Sequence, residues 1–406
     1  MSTSVTEPGF AETGVTDWAT DYDIFDPAYI ADPFAIWDSL RDTCPVAHTE
    51  RDGGTFLPTR YEDVTAIARD VAHFSSSHVG VVAPDADDDV ALPAGIPPIS
   101  ADPPEHTWTR RLLLPWFSNR RVDEYEVFTR ELCRRLVTDL AARGSADAAA
   151  EYAQQIPVRV IGLVLGVPES MSDTFTNWVR DLLEFASDRP RRLKARNELI
   201  AYFMGEMAIR RDNPGEDLIS VLLHTEVDGQ QVSDGHVLGT VALTLIAGVD
   251  TTWSGIGSAL WHLAAHDDDR RRLAAEPGLL PTAIEEILRA YSPVTMARVV
   301  SSDVEVAGCP MKEGERVLLS FPAANRDPEA FPDADRFIID REVNRHVAFG
   351  AGIHRCAGSN LARMEMRVAV EEWMAQIPEF RIADDAEVTW AGGQVRGPRQ
   401  LPVVFP

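Results

Sequence analysis

A cysteine closes the glycine-rich run Phe349-Gly350-Ala351-Gly352-Ile353-His354-Arg355-Cys356-Ala357-Gly358, and a helical pattern over 359–374 follows it. Three glycines let a backbone turn tightly and approach a flat ligand closely. A cysteine just ahead of a helix faces amide N–H groups and the positive end of the macrodipole, which favour the thiolate and lower the thiol pKa. A thiolate so placed is a soft ligand for iron. Two plainer readings stand beside this one. Cys356 fits a buried structural thiol. The glycines also suggest a dinucleotide-binding G-x-G-x-x-G, but Arg355 holds the third glycine position and that match fails.

Two further groupings carry chemistry. In Leu243-Thr244-Leu245-Ile246-Ala247-Gly248-Val249-Asp250-Thr251-Thr252 an acid adjoins alcohols, a pairing that can pass protons. Ala247 and Gly248 leave room for a group to press on the helix there, and a threonine bonding back to a carbonyl opens a groove. The plainer reading is a solvated aspartate beside small packing residues. Glu286 and Arg289 lie three apart on one helical face, which by itself reads as a surface ion pair worth about 0.2–0.5 kcal/mol.

These residues need elements to hold them. Apolar residues at three- and four-residue spacing predict helices over 108–117, 123–140, 150–165, 172–185 and 192–211, with stops at Gly144 and Pro168. The acid–alcohol segment lies within one unusually long helix, 233–266, of the kind that crosses a whole domain. Strand signals are short, at 55–58, 297–306, 316–320 and 401–405. The expected class is therefore mainly α with small peripheral β-sheets. The loop 75–104 carries Pro84, Pro93, Pro97, Pro98, Pro103 and Pro104 and the acidic run Asp85 to Asp89. Its apolar beads Val79, Val81, Val82, Leu92 and Ile96 predict a loop lying over something apolar, since loops this long are usually functional or disordered.

Composition sets the outer bounds. The chain has 406 residues, 64 acidic against 38 basic, and a net charge of -26. So acidic a surface argues against nucleic acid, whose affinity rests on cations neutralising phosphates, and against anionic membranes. Residues 1–20 show neither a basic nor an apolar signal region, and no window reads as a membrane span. Four cysteines make no disulfide framework in a chain this size. The expectation is a cytoplasmic protein, 1–406 forming one domain with a loosely ordered segment at 1–25.

The cysteine run resembles the heme-binding loop of the cytochrome P-450 family of heme-thiolate monooxygenases, F-x-x-G-x-x-x-C-x-G, filled here by Phe349, Gly352, Cys356 and Gly358. The other groupings resemble family segments in the family's order, from about Asp26 onward. The resemblance implies the P-450 fold, with heme b (iron protoporphyrin IX) buried between the long helix and the cysteine-loop helix. Cys356 is then the axial iron ligand, whose thiolate favours O–O cleavage. Phe349, Gly350, Gly358, Ala247 and Gly248 border the heme. Asp250 and Thr251 match the acid and alcohol of A-G-x-[D/E]-T-T, with Trp253 an unusually bulky successor. Asp102-Pro103-Pro104-Glu105-His106-Thr107-Trp108-Thr109-Arg110 resembles the family's D-P-P-E-H-x-x-x-R and assigns His106 and Arg110 to the heme propionates. Arg298 and His354 fill two more propionate positions. Glu286 and Arg289 become the family's E-x-x-R lock, with Arg336 in Asp335-Arg336-Phe337 as the third partner; losing one member would cost roughly 3–5 kcal/mol.

The activity so implied is oxygen insertion into an apolar small molecule, by hydroxylation or O-dealkylation, with electrons from a ferredoxin and its reductase acting on a monomer. Family position lines the pocket with Val81, Val82, Leu92, Ile96, Leu183, Phe185, Leu243, Ile246, Ala247, Val294, Met296 and Val395. Ferredoxins are acidic, so the docking face must be locally basic. The arginines at 110, 111, 120, 121, 134, 135, 345, 355, 363 and 367 fall in segments the family places there. The alternatives are a heme-thiolate peroxygenase, a heme-binding sensor or carrier without turnover, and a non-heme enzyme with Cys356 as nucleophile.

Overall fold

The computed structural model describes residues 14–83, 91, 92, 94–185 and 188–406. Asp85 to Asp89, Pro84 and Pro93 of the long loop lie outside them, as do residues 1–13.

The organising element is the helix Asp234–Ala265. Ser233 starts it, its hydroxyl accepting the His236 N–H at 3.3 Å, and His266 ends it with its N–H on the His262 carbonyl. The helix is apolar nearly all round, the pattern of one buried on every side. Among the described residues it alone is long and apolar enough to cross a membrane, but 78% of its most apolar window is buried inside the protein. Gln155–Leu165 packs against its middle and Ser359–Gln376 crosses it where Gly255 meets Met366.

Ser359–Gln376 also lies along Asn119–Ala141, joined by an ion network. Arg130 reaches Glu126, Glu371 and Glu372 at 2.7–2.9 Å, Arg134 reaches Glu372 at 3.0 Å, and Arg367 reaches Glu126 at 2.5 Å. The helix expected over 150–165 is two pieces. Asp147 caps a π-helical turn, Ala148–Ala153, by accepting from the Ala149 and Ala150 N–H groups, and Gln155–Leu165 continues it. Arg189–Asp212 and Ser172–Leu183 match the expected helices closely.

The sheets are peripheral. Five strands run in the order Val46–Thr49, Thr55–Pro58, Arg316–Ser320, Thr295–Val300, Phe74–Ser75. The strand expected over 297–306 is thus divided between this sheet and the hairpin Val304–Val306 with Cys309–Met311. Near the carboxyl end, Gly397–Gln400 pairs with Thr389–Ala391, and Pro402–Val404 lies between Arg381–Ile382 and Ser145–Asp147.

Loose order across 1–25 is not what residues 14–25 display. Tyr22, Ile24 and Phe25 are buried in a cluster with Trp37 and Leu40, and Arg51 clamps Asp21 with two hydrogen bonds of 2.7 Å. Three large apolar side chains in an acidic run find enough surface to bury.

The described parts of the long loop lie on apolar ground as expected. Val79 and Val81 are buried, the Ala297 N–H bonds the Val79 carbonyl, and Arg316 donates to the Gly80 and Val81 carbonyls. Farther on, the loop rides directly on the central helix. A Cβ on Gly239 would overlap the Gly95 carbonyl oxygen and lie 2.9 Å from Pro97 Cδ; one on Gly235 would sit 3.3 Å from Ala94 Cβ.

Candidate active site

The cysteine loop is held by its own backbone. The Cys356 N–H bonds the Phe349 carbonyl at 2.8 Å, the Gly350 N–H bonds the Val347 carbonyl at 2.8 Å, and Gly352–His354 forms one 3-10 turn. Gly352 sits at φ +69°, and a Cβ there would overlap the Ala68 carbonyl. That glycine is required by protein packing, whereas the sequence suggested approach to a ligand. Cys356 lies deep in the protein yet carries accessible surface, which buried Cys133 does not. Burial pushes its thiol up, opposed by the Gly358 N–H and by Arg110, Arg355 and Arg363. The lowering expected from the helix terminus is therefore outweighed in the protein alone, and a bound cation is what would hold the thiolate.

Around it stands a group short of negative charge. Arg298, from the strand Thr295–Val300, is buried with its Nη1 on the Ala297 carbonyl at 2.7 Å. Burial lowers its pKa to about 10, with only Asp102 pulling the other way. Asp102 itself is engaged by Ser75 Oγ at 2.5 Å and the Ser76 N–H at 3.0 Å. His354 Nε2 meets Ser76 Oγ at 2.9 Å, and its pKa is driven down to about 3 by burial, then by Arg298, His106 and Arg110. The His106 ring lies 4.3 Å from it with Nε2 buried and unpartnered. Arg110 is lowered by burial and donates to the Arg355 carbonyl. Two arginines without a matched anion, with two neutral imidazoles beside them able to donate hydrogen bonds, fit a dianion such as a pair of propionates.

On the central helix Ala247 is exposed while most of its neighbours are buried. Thr251 Oγ1 donates back to the Ala247 carbonyl at 2.8 Å. A Cβ on Gly248 would come 2.5 Å from Ile161, so helix packing accounts for that glycine. Asp250 is 1% exposed, with Oδ1 accepting from Arg399 Nη2 at 2.6 Å and Oδ2 without a partner. Burial raises its pKa to about 6, against the pull of Arg399. Asp250 and Thr251 thus adjoin without bonding each other. Arg399 and the stack of its guanidinium on Trp253, 4.1 Å from the ring centroid, were not legible from spacing.

Glu286 and Arg289 are both completely buried, and Arg289 Nε and Nη2 grip the two carboxylate oxygens at 2.8 Å. The third guanidinium is Arg341's, 3.0 Å from Glu286, and not that of Arg336. Arg336 is exposed and contributes its carbonyl, which accepts from Arg289 Nη2 at 2.8 Å. The Ile338 N–H and Asn344 Nδ2 complete the carboxylate's shell.

The pocket residues divide. Val294 bridges Val395, Ile96 and Val294 pack with Met296, and Leu92, Leu183 and Ile246 pack on the main core. Leu243 is buried one turn before Ala247. Val81 and Val82 do not join them: they pack with the Tyr22 and Trp37 cluster. Phe185 lies under the Arg191 guanidinium, 3.4 Å from its ring centroid. A separate surface cavity of about 330 Å³ lies beside Arg143, Asp147 and Pro402, where Arg143 is paired with Glu151.

The arginine cluster is largely neutralised. Six of its ten members pair with glutamates: 120 and 121 with Glu124, 134 with Glu372, 135 with Glu169, 363 with Glu285 and 367 with Glu126. Among the described residues Arg110, Arg111, Arg345 and Arg355 keep no carboxylate of this kind.

Comparison with known proteins agrees with this geometry. The family model for cytochrome P450 matches residues 206–376. Mycinamicin IV hydroxylase/epoxidase of Micromonospora griseorubida is 35% identical, over 91% of this chain and 94% of that one. Vitamin D(3) 25-hydroxylase of Pseudonocardia autotrophica is 36% identical, over 96% and 98%. The structure of CYP109Q5 from Chondromyces apiculatus superimposes with a TM-score of 0.86 at 34% identity, covering 95% of this chain and 98% of that one. The chain belongs to the cytochrome P450 family. Its activity is that of a P450 monooxygenase, and its cofactor is a heme iron.

Proposed function

We propose that this monooxygenase binds heme b through Cys356 and hydroxylates or O-dealkylates an apolar small molecule. The observation that carries the site assignment is the anion-short group of buried His106 and Arg298 and half-buried Arg110 and His354 around an accessible Cys356. Those four residues hold the propionates, Cys356 ligates the iron, and Phe349, Gly350, Gly358 and Ala247 shape the surroundings. When bound, the heme supplies oxygen activation and the protein supplies positioning and electrostatics. Asp250 holds the proton to be delivered, and Thr251, turned onto the Ala247 carbonyl, keeps an alcohol on the helix's open face. Leu243, Ile246, Leu92, Ile96, Val294, Met296 and Val395 exclude water from the substrate. A relative named as a vitamin D(3) 25-hydroxylase supports an apolar substrate.

Electrons come singly from a ferredoxin served by its reductase. It docks at the arginines left without carboxylates, Arg110, Arg111, Arg345 and Arg355, a narrower patch than the sequence implied. The described residues act as one catalytic unit, a cytoplasmic monomer with the apolar central helix buried inside it.

The test is the absorption spectrum of the reduced protein with carbon monoxide. A strongly red-shifted Soret band, lost in Cys356→His, is expected; a folded holoprotein without that band would refute thiolate ligation. Product formed with NADPH, reductase and ferredoxin separates this reading from its rivals. Product with peroxide alone would indicate a peroxygenase, and no product under either condition a sensor or carrier.

A further inference from the structure

Asp250 is not held by its own helix. Its Oδ1 takes Arg399 Nη2 at 2.6 Å, from the strand Gly397–Gln400 near the carboxyl end of the chain. The same guanidinium gives Nη1 to Ser254 Oγ at 3.0 Å and Nε to Glu184, the residue that ends the helix Ser172–Leu183. Its flat face lies 4.1 Å from the Trp253 ring centroid, so the plane of the fork is fixed. Glu184 is held in turn by Arg180 at 3.0 Å. The charged side chains that face Asp250 are therefore Arg399 from the carboxyl-terminal strand, and Glu184 and Arg180 from the Ser172–Leu183 helix. Asp250 Oδ2 is buried and unpartnered.

We propose that Arg399 is a positioning residue for Asp250, pinning one carboxylate oxygen, leaving the other free, and being shared with Glu184 so that the end of the Ser172–Leu183 helix sets how tightly the acid is held. The inference rests on the reading of Asp250 as the proton-holding group. Two carboxylates compete for one guanidinium in a buried place. Glu184 draws Arg399 away and adds negative charge of its own, so it keeps Asp250 disposed to hold a proton. A shift of the Glu184 segment away from Arg399 releases the guanidinium wholly to Asp250 and makes the carboxyl a stronger acid. The placement of the Ser172–Leu183 helix and the supply of protons are thereby linked through one side chain. Burial opposes ionisation of Asp250, Arg399 favours it and Glu184 disfavours it, the ordering this linkage requires.

The test is an infrared titration of the ferric holoprotein. The protonated-carboxyl stretch that vanishes in Asp250→Asn is followed against pH in Glu184→Gln, Arg399→Gln and Arg399→Lys. Glu184→Gln is expected to move the midpoint down and Arg399→Gln to move it up by roughly one to three units, with Arg399→Lys between Arg399→Gln and the wild type. Opposite signs are a signature that a purely structural role would not produce. Midpoints that stay put, or move the same way in Glu184→Gln and Arg399→Gln, overturn the proposal. The Arg399→Lys enzyme, which keeps the charge, supplies the reading if Arg399→Gln does not fold. Failure of the underlying role is seen separately, as Asp250→Asn turning over with the wild-type rate and pH profile while the infrared shifts remain.

Discussion

Exchanging the two arginines that compete for the third place in the Glu286 lock separates sequence reasoning from structure. Glu286 is completely buried and accepts from Arg289, Arg341, Asn344 and the Ile338 N–H. Arg341→Ala removes both of its bonds to that carboxylate, at 3.0 and 3.2 Å, and its donations to the Pro332 and Asp333 carbonyls. Arg289 still partners the charge, so the loss is smaller than stranding it outright, and hydrogen bonds to charged groups put it at roughly 1.5–3 kcal/mol. Arg289→Ala strips the bidentate partner and three backbone contacts, to the Asn325, Ala334 and Arg336 carbonyls, and should cost roughly 3–5 kcal/mol. Against a total stability of about 5–15 kcal/mol, that is enough to impair recovery of the holoprotein. Arg336→Ala leaves the backbone carbonyl that does the bonding and should change stability by no more than about 0.5 kcal/mol. Urea unfolding of the three holoproteins, followed by the Soret band and far-ultraviolet circular dichroism, orders them. An Arg336→Ala enzyme as unstable as Arg341→Ala, or an Arg341→Ala enzyme as stable as wild type, would refute the assignment.

Three other outcomes are expected. Arg298→Leu should lose heme to an acceptor protein at least about tenfold faster, since it removes a charge-assisted hydrogen bond worth roughly 1.5–3 kcal/mol; equal transfer rates would contradict its place at a propionate. Asp250 carries a pKa of about 6, above its ordinary value of 3.8, so folding favours its protonated form. That contribution is intact below pH 3.8 and is lost as pH climbs through about 6; Asp250→Asn should flatten this part of the stability–pH curve, and identical curves would count against the shift. Charge reversal at Arg111 and Arg355 together should slow electron transfer from ferredoxin to this protein and weaken its salt dependence, and stopped-flow kinetics indistinguishable from wild type would remove those residues from the docking face.

What the sequence disclosed follows from how local each signal was. The helix Asp234–Ala265 was legible within one residue at each end because its cap residue and its apolar repeat are contiguous. Glu286 and Arg289 share a face three residues apart and were equally plain. Arg341 was not, because it enters through an irregular segment that has no period and competes with Arg336 five residues away. Arg399 lies 149 residues from Asp250, and no spacing rule spans that distance. The arginine cluster misled only in part for that reason. Arg120 and Arg121 pair with Glu124 on their own helix, a local spacing, but Arg134 meets Glu372 and Arg367 meets Glu126 only once Asn119–Ala141 and Ser359–Gln376 pack together. Tyr22, Ile24 and Phe25 were too sparse to form a pattern, and only the partners they meet in space make them a core.

The contact between the long loop and the central helix bears on how the enzyme can be re-engineered. Gly235 and Gly239 form a rail on which Ala94, Gly95 and Pro97 slide close enough to forbid a methyl group at Gly239. A loop grafted from a relative would seat only if its backbone met that rail at the same height. Libraries that vary residues 91–98 should therefore hold both glycines constant. Libraries that widen the cavity should lengthen the loop ahead of Ala94, and leave the helix beneath untouched.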